Sequence, residues 1–425
     1  MNKIIQHVKL VILSTTTLLV LSCSSNSDLV FNEINQQFKE DNYFKARDLY
    51  LEKGRQLSKP LRYYTEALIY NAFNQLKEAE KRIDYLTERQ YLVPDSLLYR
   101  LYTIKSDNAI KQYQYKTAKE ATETILANFK IYLTEKELSD YENSFKIWSA
   151  LETIPSQSID IKGSTIIKMQ KDKAGLNNLK ISANNDTLNF IFDTGANLST
   201  TSVSVANRLG MKIIPVDIKV GTITGGEITA QLGICSRLLM GNIELNNVVF
   251  LVMPDEALSF PQIDYHITGI LGFPVIEALK EIQITQNGEF IVPETETAYT
   301  DKSNMAMNGL TPLICLDNRH FTFDTGADLT MFYHRFYVEN KEEIDTKYQQ
   351  EKIGFGGAGG SKEFDGFKIN HTFNIFDKEV KLEQISLLKE KIKENETVYG
   401  NIGQDIIKQF EKMTINFNHM FILFE

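Results

Sequence analysis

The sequence predicts a multidomain protein: an α-helical N-terminal region, then a mainly β unit of two lobes related by a pseudo-two-fold axis. Three observations carry this. From about Asp28 to Ile154 the chain holds one glycine, Gly54, and sets apolar residues at helical spacing. Beyond Ile154-Pro155 come short β-type runs separated by Gly, Asn, Asp and Pro. Within that part "FIFDTGANLST", from Phe190, returns as "FTFDTGADLT", from Phe321, 131 residues later.

The bulk properties are those of a globular protein. At 425 residues the chain has room for two or three domains, and its 43% hydrophobic and 24% charged content is ordinary. A net charge of -9 argues against nucleic acid as a partner, since phosphate binding needs a basic face.

The N-terminus has its own pattern. Lys3 and Lys9 precede an apolar stretch from Leu10 to Leu21, followed by Ser22-Cys23. This is the layout of a signal peptide over 1–22, and no later apolar run is long enough to cross a bilayer. Val20-Leu21-Ser22 ahead of Cys23 resembles the lipobox of bacterial lipoproteins. The resemblance implies cleavage before Cys23, lipidation of its thiol, and an exported, membrane-anchored protein on the periplasmic or cell-surface side. "SSNSD" then reads as a polar tether, over 23–28.

The helical region is expected over 29–154. Leu61, Tyr64 and Leu68, and again Leu97, Leu101 and Ile104, mark buried stripes. Ala46, Ala79 and Ala118 follow similar aromatic and basic residues, with spacings of 33 and 39 residues, near the length of a stacked helix pair. "ALIYNAFNQLKEA", from Ala67, resembles a tetratricopeptide repeat. Such a region holds a protein partner, or serves as a spacer or cap.

In the β part, a shift of 131 aligns more than the opening phrase. Gly225-Gly226 falls on Gly356-Gly357, Gly269 on Gly400, Gly272 on Gly403, and "EFIVPE" on "MFILFE". The shared register needs no gap from Phe190 to Glu294, so the chain carries one β unit twice, over 159–294 and 295–425.

Each Asp of the repeated phrase follows an apolar strand and precedes Thr-Gly, where glycine permits a tight turn and close approach by another group. If the copies face each other, Asp193 and Asp324 meet. Two carboxyls sharing a site hold one proton between them, and such a pair can take a proton from water while protonating a carbonyl oxygen.

These residues resemble the aspartic proteases, most nearly the retropepsin-like group, over about Ile159 to Glu425. "GTITGGEITA" and "GFGGAGGSKEF" sit where the glycine-rich flaps belong, and "TGILGFPVIEAL" and "YGNIGQDIIKQF" where the glycine strand and short helix belong. The resemblance implies Asp193 and Asp324 as the catalytic pair. Thr194 and Thr325 would tie the loops together across the axis, and Gly195 and Gly326 would line the approach. Thr224, Gly225 and Gly226, with Phe355, Gly356 and Gly357, would contact an extended peptide or protein substrate. It implies an endopeptidase without cofactor or metal, whose active site needs only a monomer. There are departures. The family pairs an acidic residue at the position of Asp328 with an Arg after the later glycine; here Asn197 stands in the first lobe, and Phe273 and Gln404 follow the glycines. Asn401 replaces an apolar residue, and neither flap has the Tyr of pepsin-like enzymes.

Plainer readings stand beside these. His7, His266, His320, His334, His371 and His419 show no ligand spacing and read as surface or satisfied histidines. Cys235 and Cys315 read as two small buried residues, with a single bridge between them left open. The alternative function is a catalytically inactive peptide-binding or scaffold lipoprotein that uses its helical repeats.

Overall fold

The computed structural model describes residues 26–221, 226–261, 264–357 and 360–425. The expected signal peptide, Cys23, Thr224 and Gly225 lie outside the described residues.

Seven helices form the N-terminal region: α1 (26–39), α2 (Tyr43–Lys53), α3 (Lys59–Ala72), α4 (Leu76–Thr87), α5 (Asp95–Lys111), α6 (Tyr115–Asn128) and α7 (Glu135–Leu151). Three connections, before α2, α4 and α6, turn on a residue in the left-handed region: Asp41 (φ 50°), Asn74 (φ 55°) and Tyr113 (φ 57°). Each stands five residues before one of the regularly spaced alanines, and Ala46, Ala79 and Ala118 are all 0% exposed. The alanine spacing therefore records a repeated turn followed by a helix whose small residue admits its neighbour closely. The expected tether is corrected in part: residues 26–28 already belong to α1. Ser27 is buried there, and its hydroxyl accepts from Ser58 N at 2.8 Å.

The β part contains two lobes of like topology. In the first, the strand Asp186–Phe192 runs parallel to Gly269–Leu271, which is antiparallel to Ser199–Ser202. In the second, Arg319–Phe323 runs parallel to Gly400–Ile402, which is antiparallel to Met331–Phe332. A five-stranded sheet joins the lobes, with Glu281–Thr285 antiparallel to Lys412–Asn416. Gln283 pairs there with Thr414, its own counterpart in the duplication, so the pseudo-two-fold axis passes through that pair.

The gapless duplication does not hold. The offset is 131 in the aspartate strands and again at the late glycines, but not between. Thr200 pairs with Leu251 in the first lobe, whereas its counterpart Met331 pairs with Ser386, a separation four residues longer. The second lobe inserts a helix, Lys341–Lys347, ahead of its hairpin. It then returns from Leu388 to Gly400 by a shorter path than the first lobe takes from Met253 to Gly269. The gain and loss cancel in the numbering.

Each lobe carries a long hairpin: Lys212–Gly221 with Glu227–Met240, and Gln350–Gly357 with Gly360–Ile375. The helical region is docked on both lobes. On the first, Tyr113 Oη donates to Pro274 O at 2.8 Å, and Asn74 Nδ2 donates to Glu277 Oε1 at 3.2 Å. On the second, Arg47 donates to Ser303 O at 3.0 Å, Thr397 Oγ1 donates to Asp41 Oδ2 at 2.6 Å, and Arg335 pairs with Glu40 at 2.8 Å. One continuous apolar core runs from the helices into both lobes, so the region is a cap and not a spacer.

Candidate active site

The two Asp-Thr-Gly loops are built alike from the backbone upward. Asp193 N donates to Leu271 O at 3.2 Å, and Asp324 N to Ile402 O at 3.0 Å, so each loop hangs on its lobe's glycine strand. That strand must come close. A Cβ at Gly272 would lie 2.6 Å from the Leu198 carbonyl carbon, and one at Gly403 2.6 Å from that of Leu329. Gly272 N donates to Ser199 Oγ at 3.0 Å and Gly403 N to Thr330 Oγ1 at 3.1 Å, which fixes both contacts.

Four hydrogen bonds lock the loops across the axis. Thr194 Oγ1 donates to Phe323 O at 2.8 Å and accepts from Thr325 N at 3.0 Å. Thr325 Oγ1 donates to Phe192 O at 2.9 Å and accepts from Thr194 N at 3.1 Å. Both threonines are buried, so a lost partner would leave an unpaired polar group at a cost of about 1–3 kcal/mol.

The lock brings Asp193 and Asp324 into direct side-chain hydrogen bonding. Each also accepts from its own lobe: Gly195 N donates to Asp193 Oδ1, and Gly326 N to Asp324 Oδ1, both at 2.8 Å. The glycines serve the opposite lobe as well. A Cβ at Gly195 would stand 2.7 Å from Asp324 Cγ, and one at Gly326 2.4 Å from Asp193 Cγ. Only hydrogen fits where each glycine faces the other lobe's carboxyl. Both aspartates keep partial exposure, yet protein atoms crowd the rest of their surroundings. Burial pushes the Asp193 carboxyl well above the usual carboxylate range, the negative charge of Asp324 raises it further, and their shared hydrogen bond adds to this.

The departures from the expected pattern have local explanations. Asp328 pairs with Lys408 at 2.7 Å on the surface, while Gln404 Nε2 donates to Thr325 O at 2.9 Å from the buried side. Asn197 Oδ1 accepts from Thr311 Oγ1 of the second lobe at 3.1 Å. Asn401 is more than a departure: its Nδ2 donates to Asp324 Oδ2 at 3.2 Å. Sequence reasoning gave that residue no role; a polar residue beside a motif glycine was the only available signal.

Of the expected flap residues that are described, Gly226 borders the first hairpin's second strand, and Phe355, Gly356 and Gly357 lie in the second hairpin. Gly226 directly precedes Glu227, which closes the first hairpin's ladder against Gly221. Phe355, Gly356 and Gly357 pair with Lys362, Ser361 and Gly360. Cys235 and Cys315 are free thiols, both raised to about 11, chiefly by burial.

Two carboxyls are thus held together by reciprocal Asp-Thr-Gly loops between two like lobes. Residues 179–275, which include Asp193, match the family model described as aspartyl protease. No match was found among curated proteins. Among solved structures the chain is similar to Basic 7S globulin from soybean, at 8% identity over 62% of this chain and 94% of that one, with a TM-score of 0.39. It is also similar to a retropepsin-like aspartic protease from Rickettsia conorii, at 20% identity over 32% of this chain and 94% of that one, with a TM-score of 0.22.

Proposed function

We propose that the protein is a lipid-anchored aspartic endopeptidase that hydrolyses peptide bonds with a water activated between Asp193 and Asp324. The observation that carries this reading is the reciprocity of the site: each lobe supplies one carboxyl and the glycine that makes room for the other. A duplicated turn with a structural task alone has no need of two carboxyls in contact, since burial first and the Asp324 charge second raise Asp193 against its own ionisation.

The chemistry follows from one proton on the pair. The charged carboxylate takes a proton from water as the water oxygen bonds to the scissile carbonyl carbon. The protonated carboxyl gives its proton to the carbonyl oxygen. The resulting gem-diol collapses as the carboxyl that took the water's proton gives it to the amide nitrogen, the C–N bond breaks, and a gem-diol hydroxyl returns its proton to the other carboxylate. A cavity of about 190 Å³ is lined by Ile191, Thr268, Asn189 and Tyr265. Ile191 lies two residues before Asp193 and shares its side of the strand, so this cavity suits a substrate side chain. The hairpins would bind the peptide backbone as an added strand does. Both lobes belong to one chain, so a monomer completes the site. In this reading the helix pairs are of tetratricopeptide type, and any face they leave uncovered is available to a protein partner.

The test is digestion of an unbiased peptide library by purified protein lacking residues up to Cys23, with and without pepstatin. Asp193→Asn and Asp324→Asn are each expected to lower cleavage by about a thousand-fold or more. The double variant should lose little further, because the pair acts as one unit. Full activity in both single variants would leave the aspartates without a catalytic role. Mass spectrometry of the membrane fraction checks the anchor: an unacylated Cys23 removes that part of the reading.

A further inference from the structure

The two halves of the dyad differ in what flanks them. Two residues before Asp193, Ile191 pairs across parallel strands with Ile270. Two residues before Asp324, the same positions hold Thr322 and Asn401. An apolar pair in one lobe is a hydrogen-bonded pair in the other. Thr322 Oγ1 donates to Asn401 Oδ1 at 2.5 Å, with the Gly400 carbonyl a more distant acceptor at 3.3 Å, and this arrangement faces the amide nitrogen toward the dyad. Asn401 Nδ2 then donates to Asp324 Oδ2 at 3.2 Å. The reverse orientation would set a carbonyl oxygen against a carboxylate oxygen.

Asp324 therefore receives a donor on each oxygen, from Gly326 N on Oδ1 and Asn401 on Oδ2. Asp193 receives Gly195 N on Oδ1 and a further backbone bond from Ala196, but Ile270, the counterpart of Asn401, has no side-chain donor to offer it. A hydrogen bond to the charged form of an acid favours that form, and bonds to a charged acceptor are roughly twice as strong as neutral ones. Of the two ways to place one proton on this pair, the one with the charge on Asp324 sets the Asn401 amide, the side-chain donor that Ile270 lacks, against a charged acceptor.

We infer that Asn401 breaks the symmetry of the dyad, so that Asp324 is the charged member and Asp193 carries the proton. In the reaction, on the peptidase reading, Asp324 takes the proton from the attacking water and Asp193 protonates the carbonyl oxygen. Asn401 acts through Asp324 and is a positioning residue. The other titratable groups on this side are Tyr333, whose hydroxyl interacts with Thr322, and Glu396 behind it. Burial first and the Asp324 charge second raise Tyr333, which stays neutral through the acid range. Burial also raises Glu396.

The experiment is a pH titration of the full mature protein labelled with ¹³C at the aspartate carboxyls, followed by NMR. Asp193→Asn supplies the assignment. In the unaltered protein the dyad proton that persists to higher pH should belong to Asp193. Asn401→Ile should raise the pH at which the dyad loses its first proton by about one unit, the size of a tenfold change in ionisation. Thr322→Val should shift it the same way by less. Adding Ile270→Asn to Asn401→Ile should reverse the shift and move the persistent proton to Asp324. Glu396→Gln should leave the Asn401→Ile shift in place. If Asn401→Ile fails to fold, Asn401→Ser, which cannot reach Asp324, serves in its stead. An unchanged titration in the variant, or a persistent proton on Asp324 in the unaltered protein, overturns the proposal. The acidic limb of kcat/KM should move up with the titration. Absence of any cleavage by the unaltered protein would defeat the peptidase reading while the titration still decides where the proton sits.

Discussion

The two hairpins, one per lobe, have equivalent positions in the duplication and different neighbours. The first is packed against the helical region. Trp148 of α7, stacked on Tyr115 at 6.3 Å, shares a core with Ile218, Leu232 and Ile234 of the hairpin. Asn143 of the same helix adds a two-point clamp on the backbone: its Nδ2 donates to Lys219 O at 2.9 Å, and its Oδ1 accepts from Lys219 N at 2.8 Å. The second hairpin rests on its own lobe, where Ile353 and Phe364 form a small cluster with Leu388. Duplication thus supplied two similar hairpins, and the added helical region restrains one of them. Opening by the first hairpin must break its contacts with α7 in addition to those it makes within its own lobe.

The largest expected effect tests that restraint. Trp148→Ala removes a buried side chain from the shared core and should destabilise the protein by about 3–5 kcal/mol. Hydrogen exchange should then quicken over 212–240 and stay unchanged over 350–375. Equal quickening in both hairpins would show that α7 does not single out the first. The second comparison concerns the dyad glycines. Gly326→Ala should lower cleavage by about a hundred-fold, the scale of displacing a reacting group by roughly 1 Å. Gly195→Ala should lower it less, because its added carbon meets the opposite carboxyl at 2.7 Å against 2.4 Å. Steady-state kinetics of the two variants decides the order. The smallest effect is that of Asn143→Ala, which unpairs one backbone N–H and one C=O at Lys219. A loss of about 1 kcal/mol, read as a roughly fivefold faster exchange of the Lys219 amide, is expected. An unchanged rate would assign the clamp no part in holding the hairpin.

How much of this could be read from the sequence depends on how local each feature is. The aspartates were legible because the residues around each, from the apolar strand to Thr-Gly, are contiguous and occur twice. The strands "LNFIFD" and "KEIQIT" were legible through composition and appear as Asp186–Phe192 and Glu281–Thr285. The repeated alanines were legible, though the turn residues Asp41, Asn74 and Tyr113 that explain them were not singled out. The inserted helix Lys341–Lys347 stayed hidden because a shorter return restored the numbering before Gly400. Asn401 stayed hidden because its meaning depends on register: only the pairing with Thr322 sets its amide beside Asp324.

By itself the sequence determined that one β unit is present twice, that each copy places an Asp-Thr-Gly after an apolar strand, and that a helical region comes first. These are matters of local pattern, and local pattern is written in contiguous residues. Tertiary structure alone decided that the helical region caps both lobes, that it restrains one hairpin, and that one aspartate receives a side-chain amide donor where the other lobe has Ile270. Each of those rests on contacts between residues far apart in the chain, such as Asn143 with Lys219 and Asn401 with Asp324. Such contacts follow from how the lobes and helices close on one another, which no contiguous stretch of sequence encodes.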